Sequence, residues 1–220
     1  MLTLRRHYGF IALAVNLFFV GLLMQPAHAA QGAKPVTILA LGTSLTQGYN
    51  LPPGTDFTVQ LEQALTKGGR SVRIINAGVS GDTSAGGLAR LDWALGEPVD
   101  AAIVELGSND ALRGLSPKQT EANLDAILTK LKSRKIRVLL TGMLAPRNLG
   151  PDYAKDFDAI YPRLAAKHGV PLYPFFLDGV AANLKLNQAD GIHPNEEGTK
   201  VIVARILPYV EKLVDAPSAP

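Results

Sequence analysis

The sequence contains no cysteine among its 220 residues. Without cysteine the protein can form no disulfide bond, no thiol nucleophile and no cysteine–zinc site. Its stability must therefore come from a hydrophobic core, and a chain of this length is long enough to bury one.

Histidine is scarce. Two of the four histidines, His7 and His28, fall within the first 30 residues, which have the pattern of a removable leader. The remaining chain keeps only His168 and His193. Because histidine is the side chain best suited to general base catalysis near neutral pH, there are few candidates for that role.

The chain has no strong excess of either charge. Its formal net charge is +3. Residues 1–29 carry Arg5 and Arg6 and no acidic residue, so without them 20 basic residues face 19 acidic ones and the net charge is +1. No basic cluster stands out in the remainder, and we predict no nucleic-acid partner.

The first 29 residues have the arrangement of a secretory signal peptide. Arg5 and Arg6 precede an uncharged apolar run from Phe10 to Met24, and Ala27-His28-Ala29 has the small residues of a cleavage site. The run is short for a membrane-spanning helix. We predict cleavage after Ala29, no stable membrane anchor afterwards, and a periplasmic or secreted protein. The alternative is an uncleaved anchor.

Beyond residue 30, short apolar segments alternate with amphipathic ones. The five predicted strands are Val36–Leu41, Val72–Ile75, Ala101–Leu106, Ile136–Leu140 and Val170–Tyr173. Strands that alternate with helices form right-handed βαβ units and a parallel sheet. We predict a three-layer α/β/α sandwich with a five-stranded parallel sheet in the flavodoxin-like order 2-1-3-4-5. This single domain covers residues 30–214, followed by a flexible tail at 215–220.

Local signals also predict the helices. They are expected at about 57–67, 83–95, 153–168 and 196–213, with a helical turn or two within 174–189. Ser116 and Gln119 have the spacing of a capping box in front of one further helix, with Pro117 at its first position. Pro162 is expected to kink the helix at 153–168.

Candidate site residues follow the strands at the points where the strands end. Ser44 comes just after the first strand, Gly78 after the second and Asn109 after the third. Asp190 and His193 lie in the loop before the last helix. Since the carboxyl ends of parallel strands open on the same edge of a sheet, these loops can converge there.

These residues supply each part that acyl transfer requires. Ser44 is the predicted nucleophile, His193 the base that takes its proton, and Asp190 the acid that orients the ring of His193. The backbone N–H groups of Ser44 and Gly78 and the side-chain amide of Asn109 are the predicted donors to the oxyanion. This chemistry needs no metal and no cofactor.

The segments around these residues read GTSLT, NAGVSGDTS, GSND and DGIHPN, and they resemble the four motifs of the SGNH (GDSL-like) hydrolases. The resemblance covers essentially the whole mature chain and assigns the family's four named residues to Ser44, Gly78, Asn109 and His193. The segments YPRLA and PFFLDGVA resemble the branch of bacterial arylesterases and acyl-CoA thioesterase I/lysophospholipases. This resemblance implies a monomeric exported serine esterase, acting on aryl esters, short- to medium-chain acyl esters and thioesters.

One position departs from the family pattern. The residue before the nucleophile is usually Asp in this family, and here it is Thr43. In the family that Asp is not the acid of the triad, which corresponds to Asp190. The difference therefore bears on loop geometry and pH behaviour more than on the existence of activity.

Three other titratable residues have competing interpretations. Asp110 follows Asn109 and is an alternative to Asp190 as the acid of the triad. His168 lies at a predicted helix end, where we expect it to bond to carbonyl groups or solvent. Glu105 lies in an apolar strand and is expected to be a paired structural acid.

The loop from Met143 to Tyr153 follows the fourth strand on the same edge of the sheet. Its apolar residues Leu144, Pro146 and Leu149 are predicted to contact the acyl chain of a substrate. The alternative is a tight structural loop.

Two other functions compete with the serine esterase. A carbohydrate acetyl esterase would use the same residues on acetylated sugars. A non-catalytic ligand-binding module would have the same fold without an activated serine.

Overall fold

A computed structural model describes residues 34–217. The predicted signal peptide, residues 1–29, and the last three residues of the predicted tail lie outside the described residues. The sheet consists of β1 (Val36–Gly42), β2 (Val72–Gly78), β3 (Ala101–Glu105), β4 (Arg137–Thr141) and β5 (Leu172–Tyr173). All adjacent pairs are parallel and the order is β2-β1-β3-β4-β5, which confirms the predicted topology.

Helices cover the sheet. They are α1 (Ser44–Gln47), α2 (Phe57–Lys67), α3 (Ser84–Ala89), α4 (Leu91–Ala94), α5 (Ser108–Leu112), α6 (Pro117–Ser133), α7 (Pro151–Asp158), α8 (Ile160–His168) and α9 (Glu196–Asp215). α2 packs against α9 in one layer, and α6 packs against α3 and α8 in the other. Every residue of β3 is buried, as expected for a central strand covered on both faces. The three-layer α/β/α sandwich is thus confirmed.

Two predicted helices are each divided in two. The helix expected at 153–168 breaks at Ala159, between α7 and α8. Pro162 has no N–H for the carbonyl of Asp158 and its ring crowds that carbonyl, so the break falls one turn before the proline. The helix expected at 83–95 is interrupted at Arg90 between α3 and α4.

The predicted capping box is absent. The side chain of Ser116 makes no capping hydrogen bond, and the side chain of Gln119 donates instead to Asn123 Oδ1 at 3.1 Å. Residues 174–189 contain a single helical turn, in which the N–H of Ala181 donates to the carbonyl of Leu177 at 2.9 Å, and otherwise form non-helical turns. There, the amide of Asn187 donates to the carbonyl of Val180 at 2.7 Å, so side-chain bonds satisfy groups that a helix would otherwise pair.

The second strand is longer than predicted and lies at the edge of the sheet. β2 continues three residues past Ile75 because its last residues pair with β1 as far as Gly42 opposite Gly78. The backbone N–H of Ile74 donates to Glu62 Oε2 of α2 at 2.6 Å. A side chain therefore occupies this backbone donor of the edge strand.

The last helix closes the described chain. α9 ends at Asp215, one residue into the predicted tail, and Arg70 forms ion pairs with Asp215 and with Glu211, both at 2.7 Å. Within residues 34–217, no helix combines the length and the apolar character needed to cross a membrane.

Candidate active site

The candidate nucleophile lies where the chain leaves the central part of the sheet. β1 ends at Gly42, and the side chain of Thr43 caps α1 by accepting a hydrogen bond from the backbone N–H of Leu45 at 3.3 Å. A threonine in this position is a common helix start. It makes Ser44 the first residue of α1, at the carboxyl edge of the sheet, with 8% of its surface exposed.

Ser44, His193 and Asp190 form a hydrogen-bonded chain. The Nε2 atom of His193 lies 2.9 Å from the hydroxyl oxygen of Ser44, and its Nδ1 atom lies 2.7 Å from Asp190 Oδ2. When Nδ1–H donates to the carboxylate, Nε2 is left as an acceptor for the serine proton. This is the geometry that a nucleophile, a base and an orienting acid require.

Asp190 is held by its own loop. Its Oδ1 atom accepts hydrogen bonds from the backbone N–H groups of His193 and Ile192, both at 3.0 Å. The backbone hydrogen bond from His193 is the largest of the contacts that lower the pKa of Asp190 to about 2, against the opposing effect of desolvation. The carboxylate is therefore ionised at neutral pH and can hold the imidazole.

The imidazole of His193 is restrained on two sides. The backbone N–H of Gln188 donates to the carbonyl of His193 at 2.8 Å, and the side-chain amide of Gln188 donates to the carbonyls of Tyr49 and Pro194, each at 2.9 Å. The ring of Tyr49 packs on the imidazole with 4.6 Å between ring centroids. These contacts hold the loop and limit the rotation of the ring.

Two of the predicted oxyanion donors can each donate a hydrogen bond to a substrate oxygen. The N–H of Ser44 belongs to the first turn of α1, where backbone N–H groups have no partner within the helix. The amide of Asn109 donates one hydrogen to the carbonyl of Asp82 at 2.7 Å, and its second hydrogen is left for another acceptor. The bond to Asp82 also fixes the direction in which the amide points.

The third predicted donor, Gly78, is already engaged. Its N–H donates to Asn76 Oδ1 at 3.0 Å, so it must be shared with or released by Asn76 before it can serve an oxyanion. A Cβ at Gly78 would lie 2.2 Å from the backbone nitrogen of Gln47 and 2.8 Å from the carbonyl oxygen of Thr43. Packing of β2 against the chain from Thr43 to Gln47 therefore excludes a side chain at Gly78. This steric reason for glycine does not depend on how closely a substrate approaches.

A cavity of about 240 Å³ opens beside the serine and the histidine. Leu112, Ile192 and Tyr49 give it apolar walls. Its remaining lining consists of Ser44, Leu45, Ser80, Gly81, Ser108, Asn109 and His193. A largely apolar cleft with a few polar groups at one end suits the acyl or aryl part of a small ester.

The loop residues predicted to contact the acyl chain are not among the residues that line this cavity. Leu144 and Leu149 are exposed, and Pro146 precedes a 3₁₀ turn at Arg147–Leu149. A methyl group of Leu149 lies 3.8 Å from the position of a Cβ on Gly114, two residues beyond the end of α5. Leu149 thus lies next to the segment that carries Leu112.

The comparison with known proteins decides the family. The GDSL-like Lipase/Acylhydrolase family matches this chain over residues 40–201. The chain belongs to this family.

Relatives of this GDSL-like hydrolase cover most of the chain. Esterase TesA of Pseudomonas aeruginosa is 38% identical over 185 residues, which are 84% of this chain and 92% of that protein. Thioesterase 1/protease 1/lysophospholipase L1 of Escherichia coli strain K12 is 39% identical over 186 residues, 84% of this chain and 88% of that protein. The crystal structure of AlinE4, an SGNH-hydrolase family esterase, has a TM-score of 0.70 and 47% identity, and covers 84% of this chain and 99% of its own. The resemblance seen in the sequence is confirmed, and the chain is an acyl hydrolase.

The position at which this GDSL-like hydrolase departs from its family faces a buried acid. The backbone N–H and hydroxyl of Thr43 donate to Glu105 Oε2 at 2.9 and 3.0 Å, and the hydroxyl of Thr46 donates to it at 2.9 Å. An Asp in place of Thr43 would bring a second carboxylate against Glu105, whereas threonine brings a donor. The partners of Glu105 are thus an amide and hydroxyls.

Two residues considered as alternatives lie in other contacts. Asp110 accepts from the backbone N–H of Ser84 at 2.8 Å and from the hydroxyl of Thr120 at 3.1 Å. His168 is buried and its Nε2 atom lies 2.6 Å from Asp125 Oδ1. The expectation that His168 would bond to carbonyl groups or solvent was wrong, because a carboxylate of α6 lies within reach of its ring.

Sequence reasoning missed the apolar residues of the cleft, Tyr49, Leu112 and Ile192. Each lies close to a motif residue: Ile192 precedes His193, and Leu112 is one helical turn beyond Ser108 in α5. Residues one turn apart share a helix face, so a helix beginning after the third strand was the available signal for Leu112.

Proposed function

We propose that this chain is a serine esterase that hydrolyses carboxylic esters through an acyl-enzyme on Ser44. The observation that carries the proposal is the hydrogen-bonded chain from Asp190 through His193 to Ser44, with distances of 2.7 and 2.9 Å. Family membership supports it, because an acyl hydrolase of this kind needs an activated nucleophile.

In acylation, His193 Nε2 takes the proton of Ser44 as the serine oxygen bonds to the ester carbonyl carbon. The carbonyl oxygen becomes an oxyanion, to which the N–H of Ser44 and the free hydrogen of Asn109 donate. When the tetrahedral intermediate collapses, the proton on His193 passes to the departing alcohol or thiol. Asp190 stabilises the imidazolium throughout and keeps its own charge.

In deacylation, a water molecule takes the place of the alcohol. His193 accepts a proton from the water, whose oxygen attacks the acyl carbon, and then returns a proton to Ser44. The same donors serve the second oxyanion. Release of the carboxylic acid restores the starting arrangement without any metal or cofactor.

The cleft supports aryl esters, short- to medium-chain acyl esters and thioesters as the substrate class. Its apolar walls favour an apolar acyl or aryl group, and its volume of about 240 Å³ limits the size of the part held inside. The names of the relatives from Pseudomonas aeruginosa and Escherichia coli, an esterase and a thioesterase/lysophospholipase, are of this class. We propose no nucleic-acid partner. We also propose that the enzyme acts as a monomer.

We further propose that residues 1–29 are a signal peptide, that the mature hydrolase domain begins at Ala30, and that the enzyme works in the periplasm or outside the cell. The support is the pattern of the sequence: two arginines, an uncharged apolar run and the small residues Ala27 and Ala29. The proposed hydrolase domain then covers residues 30–214, and a short tail follows at 215–220.

The deciding experiment is covalent labelling. Diethyl p-nitrophenyl phosphate reacts with an activated serine, and mass spectrometry of the digested protein should find the phosphoryl group on Ser44. Ser44→Ala should take no label, while Ser80→Ala, which removes another hydroxyl from the same cleft, should still be labelled. An unlabelled wild-type protein would favour the non-catalytic binding module.

A substrate panel separates the proposal from a carbohydrate acetyl esterase. The panel contains p-nitrophenyl esters of increasing chain length, acyl-CoAs and acetylated sugars. We expect kcat/KM to be highest for aryl and acyl esters. A clear preference for acetylated sugars would support the acetyl esterase instead.

A further inference from the structure

Glu105 is a buried acid for which the proposed mechanism has no use. Its side chain is 0% exposed, at the end of β3, and in the sheet register it lies opposite Gly42. Among the groups of residues 34–217 that shift its pKa there is no lysine, arginine or histidine. Burying a carboxylate without a cationic partner is unfavourable, so the carboxylate must be held by strong hydrogen bonds.

All of these hydrogen bonds come from the segment that carries the nucleophile. The backbone N–H and the hydroxyl of Thr43 donate to Glu105 Oε2 at 2.9 and 3.0 Å, and the hydroxyl of Thr46 donates at 2.9 Å. Both threonines are buried, with 0% and 1% exposed. Since they flank Ser44, the carboxylate ties the chain on both sides of the nucleophile to the end of β3.

Close packing and hydrogen bonds restrict the conformation of the chain from Gly42 to Thr46. A Cβ at Gly42 would lie 2.0 Å from the hydroxyl of Thr46 and 2.7 Å from Glu105 Oε2. The carbonyl of Gly42 also accepts hydrogen bonds from Arg90 Nη2 at 2.9 Å and from the backbone N–H of Val79 at 3.1 Å. The segment is thus bonded from β3 on one side and from the residues after β2 on another.

We propose that Glu105 is a positioning residue of this esterase, which fixes the hydroxyl and the N–H of Ser44 for attack by accepting hydrogen bonds from Thr43 and Thr46. The inference rests on the proposed function, because the position of Ser44 matters only if it is the nucleophile. Thr43 links the acid to the start of α1, since its hydroxyl donates to Glu105 and accepts from the N–H of Leu45.

Glutamine is the conservative replacement that this geometry accommodates. An amide oxygen at the place of Oε2 can accept from the N–H of Thr43 and from the hydroxyl of Thr46. An amide nitrogen at the place of Oε1 can donate to the hydroxyl of Thr43, which lies 3.2 Å from that atom. Leucine has a similar size and accepts no hydrogen bond. Glu105→Gln and Glu105→Leu therefore separate positioning by hydrogen bonds from the filling of space.

The test measures kcat and KM for p-nitrophenyl acetate and the rate at which diethyl p-nitrophenyl phosphate labels Ser44. In folded protein, Glu105→Leu should lower kcat about 100-fold, the size of effect that a misplaced catalytic group produces, with KM within about threefold of wild type. Glu105→Gln should keep kcat within about fivefold. The labelling rate should follow kcat, because it depends on the same serine hydroxyl.

Thr46→Val and Thr141→Val form a matched pair that does not depend on the folding of the leucine variant. Each removes one fully buried hydroxyl at the carboxyl edge of the sheet, but the hydroxyl of Thr141 donates to the carbonyl of Val104 and not to Glu105. After correction for the folded fraction by circular dichroism, Thr46→Val should lower kcat and the labelling rate about tenfold. Thr141→Val should change neither by more than about twofold.

Three results would overturn the positioning role. They are equal kcat and labelling rate in the two threonine variants, wild-type kcat in folded Glu105→Leu, and a Glu105→Gln variant as inactive as the leucine variant. These results are distinct from a failure of the proposed function. If wild-type protein took no label on Ser44, the serine esterase itself would be refuted, whereas labelling at equal rates in wild type and variants would refute the positioning role alone.

Discussion

His193 can act as a base only while its Nε2 atom is unprotonated, because this atom must accept the proton of Ser44. We therefore expect kcat/KM to fall toward acid pH. His193→Ala should remove nearly all turnover of p-nitrophenyl acetate. His168→Ala is the matched control, since the ring of His168 is bonded to Asp125 and lies outside the cleft, and it should retain turnover. The opposite behaviour of the two variants would reject the assignment of the base.

Asn109 is the proposed side-chain donor to the oxyanion. Because the charge on the carbonyl oxygen exists only during the reaction, loss of this donor should lower kcat and leave KM nearly unchanged. Steady-state kinetics of Asn109→Ala should show a fall in kcat of roughly 10²–10³. Asn109→Asp should be at least as damaging, because it places a carboxylate beside the forming oxyanion. Wild-type kcat in a folded Asn109→Ala protein would remove Asn109 from the site.

The ionisation of Glu105 should be visible in protein stability. Burial raises its pKa to about 7, although hydrogen bonds from Thr43 and Thr46 act in the opposite direction. Between the ordinary pKa of 4.5 and pH 7 the folded protein holds a proton that the unfolded chain has released, so stability falls as pH rises. The shift corresponds to about 3 kcal/mol. The neighbouring Tyr161 has a pKa well above its usual value and stays neutral in this range.

Glu105→Gln removes this titration. Urea denaturation at a series of pH values should show the glutamine variant gaining on wild type by up to about 3 kcal/mol between pH 4.5 and 7.5, because only the wild-type carboxyl ionises there. A difference that did not change with pH would mean that Glu105 titrates in the folded protein as it does in the unfolded chain.

At this scale the sequence predicted the residues that the structure brings together, Ser44, Asp190 and His193, but it did not predict the contacts that hold them in place. Asp190 is separated from His193 by a short loop, and such a contact follows from spacing. The contact between Glu105 and Thr43 joins residues 62 positions apart and depends on the register of β1 against β3. The bond between Gly78 and Asn76 is local, but it depends on β2 extending to Gly78, which the turn-like sequence concealed.

At the scale of elements, the cleft is shaped by short helices that the strand pattern did not reveal. α5 carries Leu112 into the cleft wall, and the 3₁₀ turn carries Leu149 to a place beside Gly114. We expect Leu112→Ala to shift the preference along a series of p-nitrophenyl esters toward longer acyl chains, because it widens the wall. Leu149→Ala should have a smaller effect. Unchanged profiles in both variants would place the acyl chain elsewhere.

The two helices that were predicted whole and found divided are interrupted in different surroundings. Pro162 ends the hydrogen-bond pattern between α7 and α8, which the sequence shows, but where the second helix resumes is set by packing on the sheet. Between α3 and α4, Arg90 donates to the carbonyl of Gly42 at 2.9 Å. That long-range bond has no local signal in the sequence.

At the scale of the whole molecule, the parallel sheet and its strand order followed from the alternation of strands and helices and from the handedness of βαβ units. The export of the protein is a separate prediction. N-terminal sequencing should show that the exported enzyme begins at Ala30, because Ala27 and Ala29 are the small residues that the signal peptidase recognises. Ala29→Leu should slow the cleavage. An exported protein that begins at Met1 would contradict the signal peptide.

The bond between the backbone N–H of Ile74 and Glu62 also has a consequence for how copies of the protein meet. An edge strand with free backbone donors is a template on which another chain can add a strand, which leads to aggregation. Glu62 occupies one donor of β2 and places a carboxylate in the path of an incoming strand. At the other edge, β5 has two residues, too few to hold a partner strand. Both features disfavour the addition of a strand from a neighbouring molecule.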